Sequence, residues 1–223
     1  LFTNVTLDGV IQAKDVENVY EVPLRFHEEG LDEKIVELLQ LWTKRPNLQK
    51  WADIVHSFNN PKDEVTIGIV GKYVELKDSY KSLHEALLHS GIELNLKVNI
   101  NYVDSENLSN EEEMQEWKKC DGILIPGGFG ERGVAGKIET IRYARENKIP
   151  YFGICLGLQV AVIEYARNVL GIEEANTVEI DSNAKENIID MMEEQKKIKK
   201  LANIKVLISE LYLKISIINN RNQ

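Results

Sequence analysis

The sequence predicts an α/β protein with a doubly wound, mainly parallel sheet that carries helices on both faces. Three observations support this fold class. From residue 65 onwards, short apolar runs alternate with segments of helical character. The apolar runs are nearly continuous, as expected of strands that are covered on both faces. Two of these runs end in glycine-rich turns, at the carboxyl ends of strands where such sheets bind ligands.

The alternation predicts four strands and four helices after residue 64. The strands are expected at 65–70, 97–103, 122–125 and 151–154, and the helices at 80–90, 111–118, 134–146 and 158–169. The two glycine-rich turns follow the third and fourth strands. Because carboxyl ends of parallel strands share one edge of a sheet, we expect these turns to converge.

The first 50 residues are too short to close a core of their own. They predict a strand-like start, a turn near Asp8 and Gly9, and a helix at about 31–41. The apolar residues of that helix recur near helical spacing at Leu31, Ile35, Leu38, Leu39 and Trp42. A short helix is also expected within 46–64, packed through Trp51, Ile54, Val55 and Phe58.

Composition excludes several classes of protein. The 223 residues, 43% of them hydrophobic, suffice for one full core and a smaller part. No apolar run of transmembrane length and no signal peptide is present, which predicts a cytoplasmic protein without a membrane partner. The net charge of −9 argues against nucleic-acid binding. Two cysteines at unlike sites suit a reducing compartment.

Cys155 is the candidate nucleophile. It stands between an apolar strand and a helix, with Gly153 and Gly157 two residues away on either side. Small residues at these offsets permit the sharp strand-to-helix turn that exposes a nucleophile. A cysteine there indicates acyl transfer through a thioester, and the following helix is expected to favour the thiolate. The alternative is a buried cysteine that packs as a small hydrophobe.

A glycine-rich segment follows the strand at 122–125, in the run from Pro126 to Gly130. Glycines there allow backbone N–H groups to point at a ligand, as an oxyanion hole requires. The alternative is an ordinary strand-to-helix turn. The motif is weak alone but becomes specific when it is combined with the cysteine turn.

These two motifs, 126–130 and 153–159, resemble the class I glutamine amidotransferase domain of the CTP synthase family. Longer runs agree with the same family at 11–20, 22–23, 30–32 and 65–82. The resemblance implies a carboxyl-terminal remnant of the amidoligase domain at 1–50 and a linker at 51–64. It further implies a partial glutamine amidotransferase domain at 65–201, incomplete at its carboxyl end, and a tail at 202–223 that does not match the family.

Site residues follow from the resemblance position by position. Cys155 attacks the side-chain amide of glutamine, and the N–H groups of Gly128 and Leu156 stabilise the oxyanion. Glutamine is bound by Gly128, Leu156, Gly157, Leu158, Gln159 and Glu179. Without the family match, Glu179 would be interpreted as a solvated loop carboxylate, and Arg132 as a surface arginine. The resemblance instead places Arg132 in a segment linked to activation by GTP, and Val16 beside the ATP adenine.

In the intact family enzyme, the ammonia serves the ATP-dependent amination of UTP to CTP, with Mg²⁺, in a homotetramer. The family's ATP, magnesium and UTP sites are expected upstream of Leu1, so no cofactor and no metal site are expected in this chain. The family's catalytic base lies in a His-Pro-Glu segment that this sequence lacks. All four histidines, His27, His56, His84 and His89, precede Cys155. The resemblance therefore implies a fragment that is inactive alone.

Two other functions stay open. One is a non-catalytic chain that binds glutamine or a partner chain and regulates it. The other is a different enzyme of the cysteine-turn type, such as a small hydrolase, which uses the thiol without the family's base.

Overall fold

A computed structural model describes residues 6–72, 77–106 and 117–190. The chain divides into two compact units. One runs to Glu64 and includes Ser82–Val98, and the other comprises Val65–Lys81 and the residues from Asn99 onwards. The predicted start of the chain at 1–5, most of the predicted helix at 111–118 and the predicted tail at 202–223 lie outside the described residues.

The first unit is helical. Short 3-10 turns at Leu7–Gly9 and Val19–Glu21 precede α1 (Val22–Glu28), α2 (Leu31–Leu38) and α3 (Gln49–Asn59), and most of α4 (Lys81–Leu94) belongs to this unit as well. The predicted turn at Asp8 and Gly9 and the predicted helix within 46–64 are confirmed. Helix α1 was not predicted, although Pro23 lies in its first turn, where a missing N–H costs little.

Helix α2 is shorter than predicted, since it ends at Leu38 and not near residue 41. Gln40 adopts a left-handed conformation with φ of 52°, which a right-handed helix cannot continue. Leu38 and Leu39 are exposed, and Trp42 is fully exposed. The apolar residues that predicted the end of the longer helix, Leu38, Leu39 and Trp42, are therefore not buried within the described part of the chain.

The second unit contains most of the predicted sheet. Its strands are β1 (Asp63–Gly71), β2 (Leu96–Asp104), β3 (Gly122–Ile125) and β4 (Tyr151–Gly153), in the order β2-β1-β3-β4. The β1–β3 and β3–β4 pairs are parallel, with Ile69 opposite Leu124 and Leu124 opposite Phe152. The α/β fold with a mainly parallel sheet is thus confirmed. The predicted strand at 122–125 matches β3 at both ends.

Two helices cover part of this sheet. Helix α5 (Val134–Glu146) packs against α6 (Leu156–Asn168), and α6 packs on β3 and β4. The shared core consists of apolar side chains from strands and helices, among them Val70, Ile125, Ile141, Leu156 and Val160. Helix α6 begins two residues before the predicted start at 158, because Cys155 already serves as its N-cap. This start fixes Cys155 at the junction of β4 and α6.

A second, two-stranded parallel sheet follows α6 and was not predicted. It pairs β5 (Ala175–Thr177) with β6 (Glu186–Ile189), with a register shift between Asn176 and Thr177. Strand β5 also packs against α6. Within the described ranges, no helix is long and apolar enough to cross a membrane.

Candidate active site

Two glycines form the inside of the turn between β4 and α6. A Cβ atom added at Gly153 would lie 2.6 Å from the carbonyl carbon of Gly157. One added at Gly157 would lie 2.2 Å from the carbonyl oxygen of Ile125 in β3. These distances are below any real Cβ contact, so neither position accepts a side chain without a backbone shift. The predicted need for small residues on both sides of Cys155 is confirmed.

The backbone of Cys155 is held in an unusual conformation, with φ of 52° and ψ of −110°. Such a conformation is costly for a residue with a Cβ and persists only when its surroundings impose it. Here the Ile154 N–H donates to the Ile125 carbonyl at 2.9 Å, and the Gly157 N–H donates to the Ile154 carbonyl at 2.9 Å. The Tyr151 hydroxyl donates to the Gly157 carbonyl at 2.7 Å. The turn therefore fixes the position of a half-buried thiol.

The glycine loop after β3 lies beside this thiol. A Cβ at Gly127 would lie 3.5 Å from Cβ of Cys155, and one at Gly128 would lie 3.6 Å from Cδ2 of Leu156. Leu156 is the first residue of α6, and its backbone N–H lowers the pKa of the Cys155 thiol. The structure thus brings together the two glycine-rich turns at the carboxyl ends of the adjacent parallel strands β3 and β4.

Gln159 connects this turn to the segment after β5. Its side chain is buried in α6, where the amide nitrogen donates to Oε2 of Glu179 at 2.5 Å. The hydroxyl of Thr177 donates to the amide oxygen of Gln159 at 2.8 Å. The other carboxylate oxygen of Glu179, Oε1, is buried and has no hydrogen-bond partner among the described residues. It is therefore an acceptor that a bound group could use.

The pKa of the Cys155 thiol lies above its usual value. Burial raises it first, and the negative charge of Glu179 raises it further, while the hydrogen bond from the Leu156 N–H lowers it. The Leu156 N–H thus acts in the direction expected of the helix terminus, towards the thiolate, while burial and Glu179 act against it. A nearby carboxylate and a partly buried position outweigh one amide N–H.

The remaining predicted residues lie in several places. Leu158 is half-buried in the first turn of α6, with its N–H donating to the Cys155 carbonyl at 3.1 Å. The exposed Arg132 forms an ion pair with Glu106 at 2.7 Å. Val16 is half-buried in the first unit, which also contains all four histidines, whereas Cys155 belongs to the second unit. No group of His, Cys, Asp and Glu within the described ranges could hold a metal ion.

Three residues at this site were missed in the sequence analysis. Thr177 orients Gln159, and only the packing of β5 on α6 identifies it. Lys72, directly after β1, donates to the carbonyls of Phe129 and Gly130 at 2.8 and 3.4 Å. The ammonium of Lys137 in α5 lies 3.8 Å from the position that a Cβ at Gly128 would occupy. Lys72 lies within the run 65–82 that resembles the family, but nothing in that run predicts its contact with the glycine loop, and Lys137 belongs to no local motif that the sequence analysis uses.

Comparison with known proteins adds to this geometry. The family model described as glutamine amidotransferase class-I matches residues 75–215, which is more than half of the chain. Among curated proteins, CTP synthase of Nitratidesulfovibrio vulgaris (strain DP4) is 56% identical over 194 residues, covering 87% of this chain and 36% of the relative. CTP synthase of Syntrophus aciditrophicus (strain SB) is 53% identical over 201 residues, covering 90% and 37%. The chain thus spans little more than a third of these relatives.

Among solved structures, the chain is similar to the glutaminase domain of Trypanosoma brucei CTPS with bound acivicin. The identity is 43% and the TM-score is 0.55, over 62% of this chain and 54% of that one. The similarity in sequence and fold together supports the same arrangement of sheet and helices in the two proteins.

Proposed function

Because this chain belongs to the class I glutamine amidotransferase family, we propose that it binds L-glutamine and that Cys155 is the residue that attacks its side-chain amide. One observation carries the proposal. The thiol stands at an imposed strand-to-helix turn, with Leu156 at the start of α6 directly after it and the Gly127–Gly128 loop beside it. This arrangement combines a nucleophile with amide groups that can face a developing oxyanion.

The proposed reaction consumes glutamine and water and releases ammonia and glutamate. The Cys155 sulfur bonds to the amide carbon, and the electron pair of the carbonyl moves to the oxygen. When the carbonyl re-forms, the C–N bond breaks, and the proton lost by the thiol is recovered by the leaving nitrogen as ammonia. Water then hydrolyses the glutamyl thioester to glutamate and restores the thiol. Amide donors from Gly128 and Leu156 would each contribute on the order of 3 kcal/mol to the transition states.

Glu179 would recognise the amino group of the substrate. Its Oε2 is occupied by Gln159, whereas Oε1 is buried without a partner among the residues described. A cationic amino group would satisfy that oxygen and would also neutralise the charge that raises the pKa of Cys155. Bound glutamine would thereby shift the thiol towards the thiolate. Gln159, Gly157 and Leu158 would line the rest of the pocket.

The similarity to CTP synthases extends this proposal to a larger reaction. Ammonia from Cys155 would be used in the ATP-dependent amination of UTP to CTP, by parts of the enzyme that lie outside this chain. In that setting Val16 would lie near ATP, Arg132 would respond to GTP, and the enzyme would be a cytoplasmic homotetramer. The two free cysteines suit the reducing compartment. We assign no step to ATP or Mg²⁺ within this chain.

The second candidate is a chain that binds glutamine without turning it over. The raised pKa of Cys155 favours it, because a thiol that stays protonated is a poor nucleophile. The histidines of the chain all fall in the first unit, so no imidazole in the second unit supplies a base among the residues described. A glutaminase assay distinguishes the two candidates, since ammonia release that is lost in Cys155→Ala requires turnover.

Glu179→Gln is expected to change the reactivity of Cys155 in two opposite directions. Alkylation by iodoacetamide at neutral pH should become faster, because removal of the carboxylate lowers the pKa of the thiol. Labelling by a glutamine chloroketone should need roughly thirtyfold more reagent for half-saturation, about 2 kcal/mol, because the substrate's amino group loses its charged acceptor. The rate of alkylation and the half-saturating concentration of chloroketone are both measured by mass spectrometry.

Glu186→Gln is the matched control, because Glu186 is an exposed carboxylate of β6 in the same unit. It should leave the alkylation rate and the half-saturating concentration unchanged. If Glu179→Gln made both reagents react more readily, or both less readily, the variant would have altered access to the thiol. The proposed role of Glu179 would then be refuted.

A further inference from the structure

Lys137 is a buried cation next to the glycine loop. Lys137 is only 1% exposed, although a lysine is almost never fully buried unless it is paired. No hydrogen bond or ion pair reaches its ammonium from the described residues. On the glycine loop, a Cβ added at Gly128 would lie 3.8 Å from the Lys137 nitrogen. The same Cβ would lie 3.6 Å from Leu156, the other residue proposed to supply an oxyanion donor.

The charges around Lys137 leave this region positive. Burial and the charge of Lys72 lower the pKa of Lys137 to about 8, whereas Glu106 acts in the opposite direction. Glu106 is already engaged by Arg132 at 2.7 Å. Lys72 is held against the loop through the carbonyls of Phe129 and Gly130. The site also contains Tyr151, whose pKa is raised by burial, together with Cys155 and Glu179, and the charge of Glu179 raises the pKa of Cys155.

The burial of this charge is not explained by a gain in the stability of the fold. An unpaired buried ammonium is costly, and an apolar residue of similar volume would be neutral or stabilising in its place. A buried positive charge does, however, favour nearby negative charge, and the low dielectric of a closed site strengthens that effect. In the proposed reaction, negative charge develops on the amide oxygen of glutamine beside Gly128.

We propose that Lys137 is a positioning residue of the glutaminase site, which acts through the Gly128 peptide to favour the oxyanion. The ammonium disfavours an orientation of the flexible glycine peptide that would aim its N–H at Lys137, and it adds positive potential where the oxyanion forms. This inference rests on the proposed function of Cys155. Helix α5, which carries Lys137, would then take part in the chemistry together with the cysteine turn and the glycine loop.

The test compares two reagents on the whole chain. A glutamine chloroketone is attacked at its carbonyl, so an oxyanion forms before chloride leaves, whereas iodoacetamide is displaced directly without an oxyanion. The ratio of the two rates at Cys155 therefore reports stabilisation of the oxyanion independently of the titration of the thiol. Lys137→Met removes the charge and keeps the length of the side chain, and Lys137→Arg keeps the charge. Lys148→Met, at an exposed lysine after α5, is the control.

We expect the ratio to fall about tenfold in Lys137→Met at neutral pH, with the half-saturating concentration of chloroketone within about twofold of the wild-type value. Lys137→Arg should recover most of the ratio, and Lys148→Met should match the wild type. In the wild type, the ratio should fall as the pH rises through about 8, where Lys137 loses its proton, and this step should be absent in Lys137→Met.

An unchanged ratio in a folded Lys137→Met variant would overturn the inference and leave the proposed function intact. If that variant did not fold, a wild-type ratio that is flat across the same pH range would also overturn it. A wild-type Cys155 that iodoacetamide alkylates but the chloroketone does not would refute the proposed function itself, and the inference with it.

Discussion

Gly157→Ala is expected to destabilise the second unit by about 3 kcal/mol or more, which lowers its melting temperature by roughly 10 °C. The new methyl group would lie 2.2 Å from the Ile125 carbonyl oxygen and 3.1 Å from the Ile125 side chain. The obstacle is strand backbone within a parallel pair, which cannot move as the end of a flexible side chain can. The first turn of α6 must therefore move away from β3, and Cys155 moves with it. Thermal unfolding followed by circular dichroism measures the loss.

Gly171→Ala is the matched control for this substitution. Gly171 lies shortly after α6 and has a φ of 73°, but a Cβ there would meet nothing within 4 Å. Its cost should be limited to the backbone strain of a left-handed alanine, about 1 kcal/mol. Gly157 does not have a positive φ, so equal losses in the two variants would mean that the approach to Ile125 adds little cost, which would contradict the steric account of the turn.

The cysteine turn was predictable because its determinants are local. Gly153, Cys155 and Gly157 lie within five residues of each other, and the steric need for small residues follows from the turn itself. The meeting with the glycine loop was predictable as well, because adjacent parallel strands end at the same edge. Strand β3 was delimited correctly because glycine and proline bound its apolar run.

The parts that were missed depend on long-range contacts. Thr177 reaches Gln159 only because β5 packs on α6, and Lys137 reaches Gly128 only because α5 runs beside the glycine loop. The net rise in the pKa of Cys155 could not be predicted for the same reason. The helix terminus is visible in the sequence, whereas the burial of the thiol and the approach of Glu179 are not.

Cys155→Ala is expected to reduce labelling by a glutamine chloroketone by roughly a thousandfold or more, because the substitution removes the thiol that attacks the reagent. Alanine retains the Cβ, so the strained backbone of the turn is unchanged and the fold should be preserved. The rate of adduct formation is followed by intact-protein mass spectrometry, with circular dichroism to verify the fold.

Cys120→Ala serves as the control, since Cys120 is the other cysteine and is buried in the same unit. Its removal should leave the labelling rate within about twofold of the wild type. Substantial labelling that persists in Cys155→Ala would assign the reactivity to another residue and would contradict the role of the turn.

The most direct test of Cys155 as a glutamine-directed nucleophile is the protection of the wild-type chain by substrate. The chain is treated with limiting chloroketone, with and without excess L-glutamine, and the modified peptide is identified by mass spectrometry. We expect the adduct on the peptide that contains Cys155, suppressed by L-glutamine and not by L-asparagine, which is one methylene shorter. An adduct on Cys155 that L-glutamine does not suppress, or a thiol that does not react at all, would contradict the account.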